Sequence, residues 1–141
     1  MVKEFDFFIK KGDVKKQRPD KNLATATFEG SKERLALSQS LQQTAKPKYV
    51  LENAYESMRE AADSILYREG FKSFSHEASI VYLLKKGFSE SDISEFDRFR
   101  RIRNGIKYYG TDCDESDAKA AIALAEKIIN KIREMLGNIK A

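Results

Sequence analysis

Glu95–Gly110 reads EFDRFRRIRNGIKYYG. Its sixteen positions hold four arginines, one lysine, two phenylalanines, two isoleucines and two tyrosines, and the stretch stops at a glycine. At 100° per residue, Phe99, Ile102, Ile106 and Tyr109 fall within about 80° of one another and predict a core-facing helical stripe. Phe96, Arg100, Arg103 and Lys107 fall in the neighbouring strip, at i, i+4, i+7 and i+11. Three cations therefore flank the apolar face, where solvent is partly excluded. Crowding them there costs self-repulsion and desolvation, so the pattern predicts an anion that meets them.

Outward from this helix the signals are also helical. On its N-terminal side Ser89 is the predicted cap, with Asp92 three residues on in a capping-box position. Before that, Gly87-Phe88 ends a short helix with core positions Ile80, Val81 and Leu84, capped by Ser73 or Ser75. Gly70-Phe71 ends the longer one in the same way, a C′ glycine followed by an apolar contact. That longer helix starts near Pro47 and carries Leu51, Ala54, Tyr55, Met58, Ala62 and Ile65 at three- and four-residue spacing. Pro19-Asp20 opens a helix to about Gln43, with Asp20 as N-cap and Leu23, Phe28, Leu35, Leu37 and Leu41 as its apolar positions. Gly30-Ser31 either kinks it or starts a fresh segment.

At the N-terminus, Val2–Lys11 predicts a short amphipathic helix with Phe5, Phe8 and Ile9 on one side, ended by Gly12. Gly12–Pro19 is a basic connector. After the basic helix comes an acidic turn, Thr111–Glu115. A long amphipathic helix follows through Ala121, Leu124, Ala125, Ile128, Ile132 and Met135, closing near Gly137. No segment alternates with period two. The predicted fold is all-α: an antiparallel helical bundle of about five to six helices in a single domain, 1–141, with 1–19 as helix and connector and 20–137 as the core bundle.

Composition bounds the function. The chain has 141 residues, a net charge of +4, 34% charged and 41% apolar residues, as expected of a soluble helical domain that is only mildly basic. One cysteine, Cys113, and one histidine, His76, leave no material for a disulfide, a cysteine cluster or a zinc or haem site. No metal or cofactor is expected. Val2–Ile9 is too short and too acidic for a secretory core, and no apolar run approaches the ~18 residues of a membrane span, so the expected location is cytoplasmic. Phosphate-loop, dinucleotide, HExxH and GxSxG patterns are missing, and the acids around Cys113 would raise its pKa.

The exception is Arg100, Arg103, Asn104, Lys107 and Tyr108. Guanidinium forks grip phosphate oxygens bidentately, the Asn104 amide offers a donor and an acceptor, and Tyr108 and Tyr109 can stack a base or position a hydroxyl. Arg98 and Arg101 are as well explained by pairing with Glu95 and Asp97. On the Lys48–Glu69 helix, Glu52, Glu56, Glu60 and Asp63 line one strip with Arg59. They serve either as a solvated face with pairs such as Arg59–Asp63, or as a carboxylate reaching the arginines and orienting them.

Arg103-Asn104-Gly105-Ile106-Lys107-Tyr108-Tyr109-Gly110 resembles the signature helix of the HEPN family, the higher eukaryotes and prokaryotes nucleotide-binding domain. There an arginine, usually followed by a polar residue, precedes a histidine by four to six positions. The order of a long helix, GFKSFSHEASI, a short helix, a Gly-Phe break, the basic helix and a long C-terminal helix is similar too, over roughly Asp20 to Leu136. The resemblance implies a homodimer that binds nucleotide or RNA, and in HEPN ribonucleases the arginine and histidine cleave RNA without metal. Here Tyr108, or Lys107 one register earlier, stands where the histidine is expected. Tyrosine titrates near 10 and lysine near 10.4, so neither replaces an imidazole as general base.

The implied function is thus a nucleotide- or RNA-phosphate-binding module, non-catalytic, possible partner of a minimal nucleotidyltransferase in a toxin–antitoxin-type system. Arg103 would be the main phosphate ligand. Two alternatives stay open: a metal-independent endoribonuclease using Arg103 with Tyr108 or His76, and a protein-interaction subunit whose basic helix docks on an acidic partner. His76, in Ser75-His76-Glu77, is either a polar residue of a first helical turn or a histidine that folding brings beside Arg103.

Overall fold

The computed structural model of the chain describes residues 3–140. In chain order they form α1 (Phe5–Lys11), β1 (Val14–Lys16), α2 (Lys21–Leu41), α3 (Pro47–Glu69), β2 (Phe71–Ser73), α4 (His76–Lys85), α5 (Glu90–Tyr109) and α6 (Glu115–Lys140). The fold is an all-α helical bundle with one small ribbon of two strands. The start predicted at Val2 lies outside the described residues. No helix among them is long and apolar enough to cross a membrane.

Helix α3 is the hub, and α2, α4, α5 and α6 all pack on it. Its predicted positions Leu51, Ala54, Tyr55, Met58, Ala62 and Ile65 are all buried. Each large one contributes about 1.5–3 kcal/mol by leaving water. Pro47 sits at the helix start, and Gly70 ends it at φ 91°, with its N–H on the Leu66 and Tyr67 carbonyls. A Cβ on Gly70 would meet Gln17 O at 2.7 Å, so both the left-handed backbone and the crossing chain demand glycine.

Helix α2 is unbroken through Gly30-Ser31, is capped by Asp20 (Leu23 N–H to Oδ1, 2.9 Å), and ends at Leu41, short of Gln43. It runs antiparallel to α3: Ser38 donates to Val50 O at 2.7 Å, Arg34 meets Asn53, and Gly30 lies against Glu60. Its seam is Ala24, Phe28, Ser31, Leu35 and Ser38. The predicted positions Leu23 and Leu37 are instead exposed, at 40% and 45%. Small residues won the seam because they let the two backbones approach, and the buried serine hydroxyls are satisfied by carbonyls, as Ser31 is by Phe28.

The connector Gly12–Pro19 is not all loop. Val14–Lys16 pairs antiparallel with Phe71–Ser73 in the register Val14↔Ser73, Lys15↔Lys72, Lys16↔Phe71. With period two, one face of the ribbon turns Val14 and Phe71 inward, Phe71 against Phe5 and Tyr82, while Lys15 and Lys72 share the outer face. Three-residue strands are too short to show alternation, which is why the sequence hides them.

β2 also carries the chain back along α3. Extended residues cover about 3.3 Å each and helical ones 1.5 Å, so the six residues from Gly70 to Ser75 return over about four helical turns. α4 then runs alongside α3, pairing Tyr55 with His76, Asp63 with Ser79, and Glu69 with Tyr82. Ser75 is its cap, accepting from Ala78 N–H at 3.2 Å. Leu83 is fully buried, whereas Leu84 is only partly so.

In α5 the buried residues are Ile93, Phe96, Phe99 and Arg103. This corrects the predicted stripe: Ile102 and Ile106 are half-buried and Tyr109 is 81% exposed. α5 starts at Ser89, whose hydroxyl accepts from Asp92 N–H, but the Asp92 carboxylate goes to Lys127 instead of closing a capping box. Helix α6 continues past Gly137, where it was expected to close.

Candidate functional site

Where α4 begins against the second half of α5, a cleft of about 250 Å³ is lined by Ser75, His76, Glu77, Arg100, Arg103, Asn104 and Tyr108. Four of the five positions expected on the basic helix are therefore brought together, and His76 joins them from α4. Lys107 is not among them: it is exposed, its Nζ 5.6 Å from the Tyr108 ring centroid. A larger cleft of about 380 Å³ lies between the start of α1 and α4, but no comparable set of donors converges there.

Arg103 is 8% exposed, an unusual position for a guanidinium. Its Nη2 lies 3.3 Å from Glu56 Oε1, and Nη1 reaches Asn104 Oδ1 only at 3.5 Å. Its Nε and the Glu56 Oε1 are both buried without a hydrogen bond. The guanidinium carbon Cζ lies 5.8 Å from the Tyr55 ring centroid, a cation–π distance. Arg103 is therefore held by charge and a cation–π contact, with most of its five donors unused.

Behind it lies a chain of ion pairs. Glu56 also binds Arg59 at 2.7 Å, Arg59 binds Asp63 at 2.9 Å, and Ser79 donates to Asp63 at 2.6 Å. Of the two readings of the acidic strip, the solvated face does not hold, because Glu56, Arg59 and Asp63 are largely withdrawn from solvent although the Arg59–Asp63 pair exists. The other does, since Glu56 reaches the arginine cluster. Burial pushes the Glu56 carboxyl up, but the Arg59 hydrogen bond and the charges of Arg59 and Arg103 outweigh it and leave it below its ordinary value. Arg100 binds Asp97 at 2.8 Å and faces Glu77 at 3.7 Å. Arg98 pairs with Glu95 and Asp117, and Arg101 with Asp97.

His76 is fixed through Nδ1, 2.9 Å from the Tyr55 hydroxyl. Tyr55 is fully buried, and burial, with the Glu56 charge, pushes its pKa well up, so it stays protonated. The hydroxyl has no other partner among the described residues and must donate to Nδ1. That leaves the His76 proton on Nε2. Burial, then the charges of Arg59, Arg103 and Arg100 against that of Glu56, push His76 down to about 4. At neutral pH it is a neutral N–H donor.

The acidic turn behaves as its composition predicts. Burial, then Asp117, Asp112 and Asp114, push the Cys113 thiol up to about 11, and it stays a thiol. Among the described residues no three His, Cys, Asp or Glu side chains gather as metal ligands would. The residues that sequence reasoning missed are Tyr55, which the helical spacing places only among the apolar positions of α3, and Ser79. Both act through α3–α4 contacts that the backtracking β2 creates. Comparison with known proteins returns neither a matching family model nor a matching curated protein.

Proposed function

We propose that the chain is a nucleotide- or RNA-phosphate-binding module of the HEPN type, a homodimer without catalysis of its own. The observation that carries this reading is the half-satisfied Arg103 guanidinium, nine-tenths buried at the wall of a cleft that also gathers Arg100, Asn104, His76 and Tyr108. Its Nε is sealed off from solvent, so a phosphate oxygen in the cleft would be met by the Nη donors, whose contacts with Asn104 and Glu56 are long, at 3.5 and 3.3 Å. Glu56, pinned by Arg59, orients Arg103.

His76 gives the ribonuclease alternative its one support, because it shares the cleft with Arg103. Its protonation argues the other way. A general base needs a bare nitrogen aimed at the substrate hydroxyl, and Tyr55 occupies Nδ1 while Nε2 carries the proton. His76 is better suited to donate to a phosphate oxygen than to accept a proton.

The test is fluorescence anisotropy of labelled RNA in EDTA, with a gel run on the same samples. Arg103→Ala is expected to weaken binding about 10- to 100-fold, the range for hydrogen bonds to a charged group. Arg103→Lys, which keeps a charge for Glu56 but loses the fork, should recover only part of it. RNA bound as tightly by Arg103→Ala as by wild type defeats the phosphate-site reading. Cleavage by wild type alone would favour the ribonuclease, and absence of both binding and cleavage would favour an acidic protein partner.

A further inference from the structure

Beside the cleft stands a surface that the phosphate site does not use. Lys15 and Lys72 are direct cross-strand partners in the ribbon, an arrangement that like charges normally destabilise. Both lean over the same ring: Lys15 Nζ is 5.7 Å and Lys72 Nζ 5.6 Å from the centroid of Phe74. Phe74 is 60% exposed, yet its backbone is fixed, because its N–H donates to Asp13 O at 2.8 Å and extends the ladder. Asp13, one residue before the ribbon, is engaged by Lys11 at 3.5 Å. Neither Lys15 nor Lys72 has an ion-pair partner among the described residues. The next three residues after Phe74 are Ser75, His76 and Glu77, which line the cleft.

An exposed, backbone-anchored aromatic ring between two unpaired lysines is the combination that binds a base by its face and its flanking phosphates by charge. The cleft is also small. Its 250 Å³ falls below the ~300–1,000 Å³ of sites that enclose a small molecule, so it takes a phosphate and its sugar while the rest of the ligand continues outside. We infer that ribbon and cleft form one track for single-stranded nucleic acid. Phe74 stacks a base, Lys15 and Lys72 contact the adjoining phosphates, and Arg103 with Asn104 holds a neighbouring phosphate in the cleft. The inference rests on the cleft being a phosphate site. A single strand is required because only there is a base face available to stack.

The experiment measures anisotropy with labelled oligouridylate and oligodeoxyuridylate about ten nucleotides long, within the usual site sizes, and with a blunt duplex of similar length. Phe74→Ala is expected to weaken single-strand binding about tenfold, the effect of losing one stacked base, without changing thermal unfolding. Lys15→Ala/Lys72→Ala should lower the slope of log K against log salt by about 1.4, at about 0.7 per phosphate contact on a single strand. Tighter binding of uridylate than deoxyuridylate, which differ only in the 2′-OH, would identify RNA as the natural source, and equal binding a track indifferent to the sugar. If both ribbon variants bind like wild type while Arg103→Ala does not, the cleft stands and the ribbon track is wrong. If Arg103→Ala binds like wild type, the cleft reading fails and the joint track fails with it. Duplex bound as tightly as single strands would also overturn the stacking role.

Discussion

The cleft and the ribbon both carry basic side chains, but they hold their charge in opposite ways. In and behind the cleft, Arg59, Arg100 and Arg103 meet four carboxylates, Glu56, Asp63, Asp97 and Glu77. On the ribbon, Lys15 and Lys72 have no ion-pair partner among the described residues and lean over the Phe74 ring. Compensated charge projects little field but can be fixed in direction, so it supplies geometry. Uncompensated, solvated charge supplies attraction that salt screens. The cation stripe of α5 therefore does not by itself advertise a ligand, because the anions predicted to meet it are largely the protein's own. What does point to a ligand is the set of donors left unused after that pairing.

The sharpest way to break the contrast is to remove the carboxylate that the cleft depends on. Glu56→Ala leaves Arg59 and Arg103 without their shared partner. Losing one member of a buried ion pair costs about 3–5 kcal/mol, and urea unfolding should show a loss of that size. Lys72→Ala, on a surface with no such network, should leave the midpoint nearly unchanged. Equal small effects at both places would mean that the cleft arginines are solvated and not locked.

A smaller effect separates the regions by pH. His76 titrates at about 4 in the folded chain, against 6.5 without the fold. Between those values the unfolded chain binds more protons, so stability rises with pH across the window and is lost as pH falls from 6.5 toward 4. Below it Glu56, whose folded pKa is depressed, adds a further loss as it protonates. His76→Asn should flatten the upper window and leave the Glu56 loss in place, as read from urea midpoints at stepped pH. Ribbon variants should leave both windows where they are, because the charges that shift His76 are those of Arg59, Glu56, Arg103 and Arg100 and not those of Lys15 or Lys72. An unflattened profile would show that His76 is freely hydrated.

The bundle was legible because helices announce themselves locally. Leu51 through Ile65 carry the α3 face at full strength, and Asp20, Ser75 and Ser89 mark three helix starts by capping chemistry. The errors arose where packing overrode hydrophobicity. Arg103, expected beside the core stripe, is buried, since Tyr55 and Glu56 on α3 accept a cation there, while Tyr109, expected on the stripe, is exposed. The α2 seam likewise prefers Ser31 and Ser38 to Leu23 and Leu37, because close helix approach outweighs the burial of two leucines. The candidate site was half legible. Arg100, Arg103, Asn104 and Tyr108 lie on one helix and share a face by periodicity, so they could be grouped from sequence. Tyr55 and Ser79 could not be placed near them, because their proximity depends on how far a three-residue strand carries the chain back along α3.

The smallest effect is the most discriminating, because binding and stability should move in opposite directions. Lys15 and Lys72 face each other across the ladder, and like charges there cost a few tenths of a kcal/mol. Lys72→Glu replaces repulsion with a cross-strand ion pair to Lys15, on an exposed surface where such a pair contributes about 0.2–1 kcal/mol. The variant should therefore unfold at a slightly higher urea concentration than wild type. The same change removes one phosphate contact and adds a repelling carboxylate, so single-strand affinity should fall. No residue of the cleft can reproduce this pattern, since disturbing its paired arginines lowers stability and binding together. A ribbon charge kept in place against its own stability is kept for something outside the chain, and a Lys72→Glu protein that gains stability without losing affinity would remove that reason.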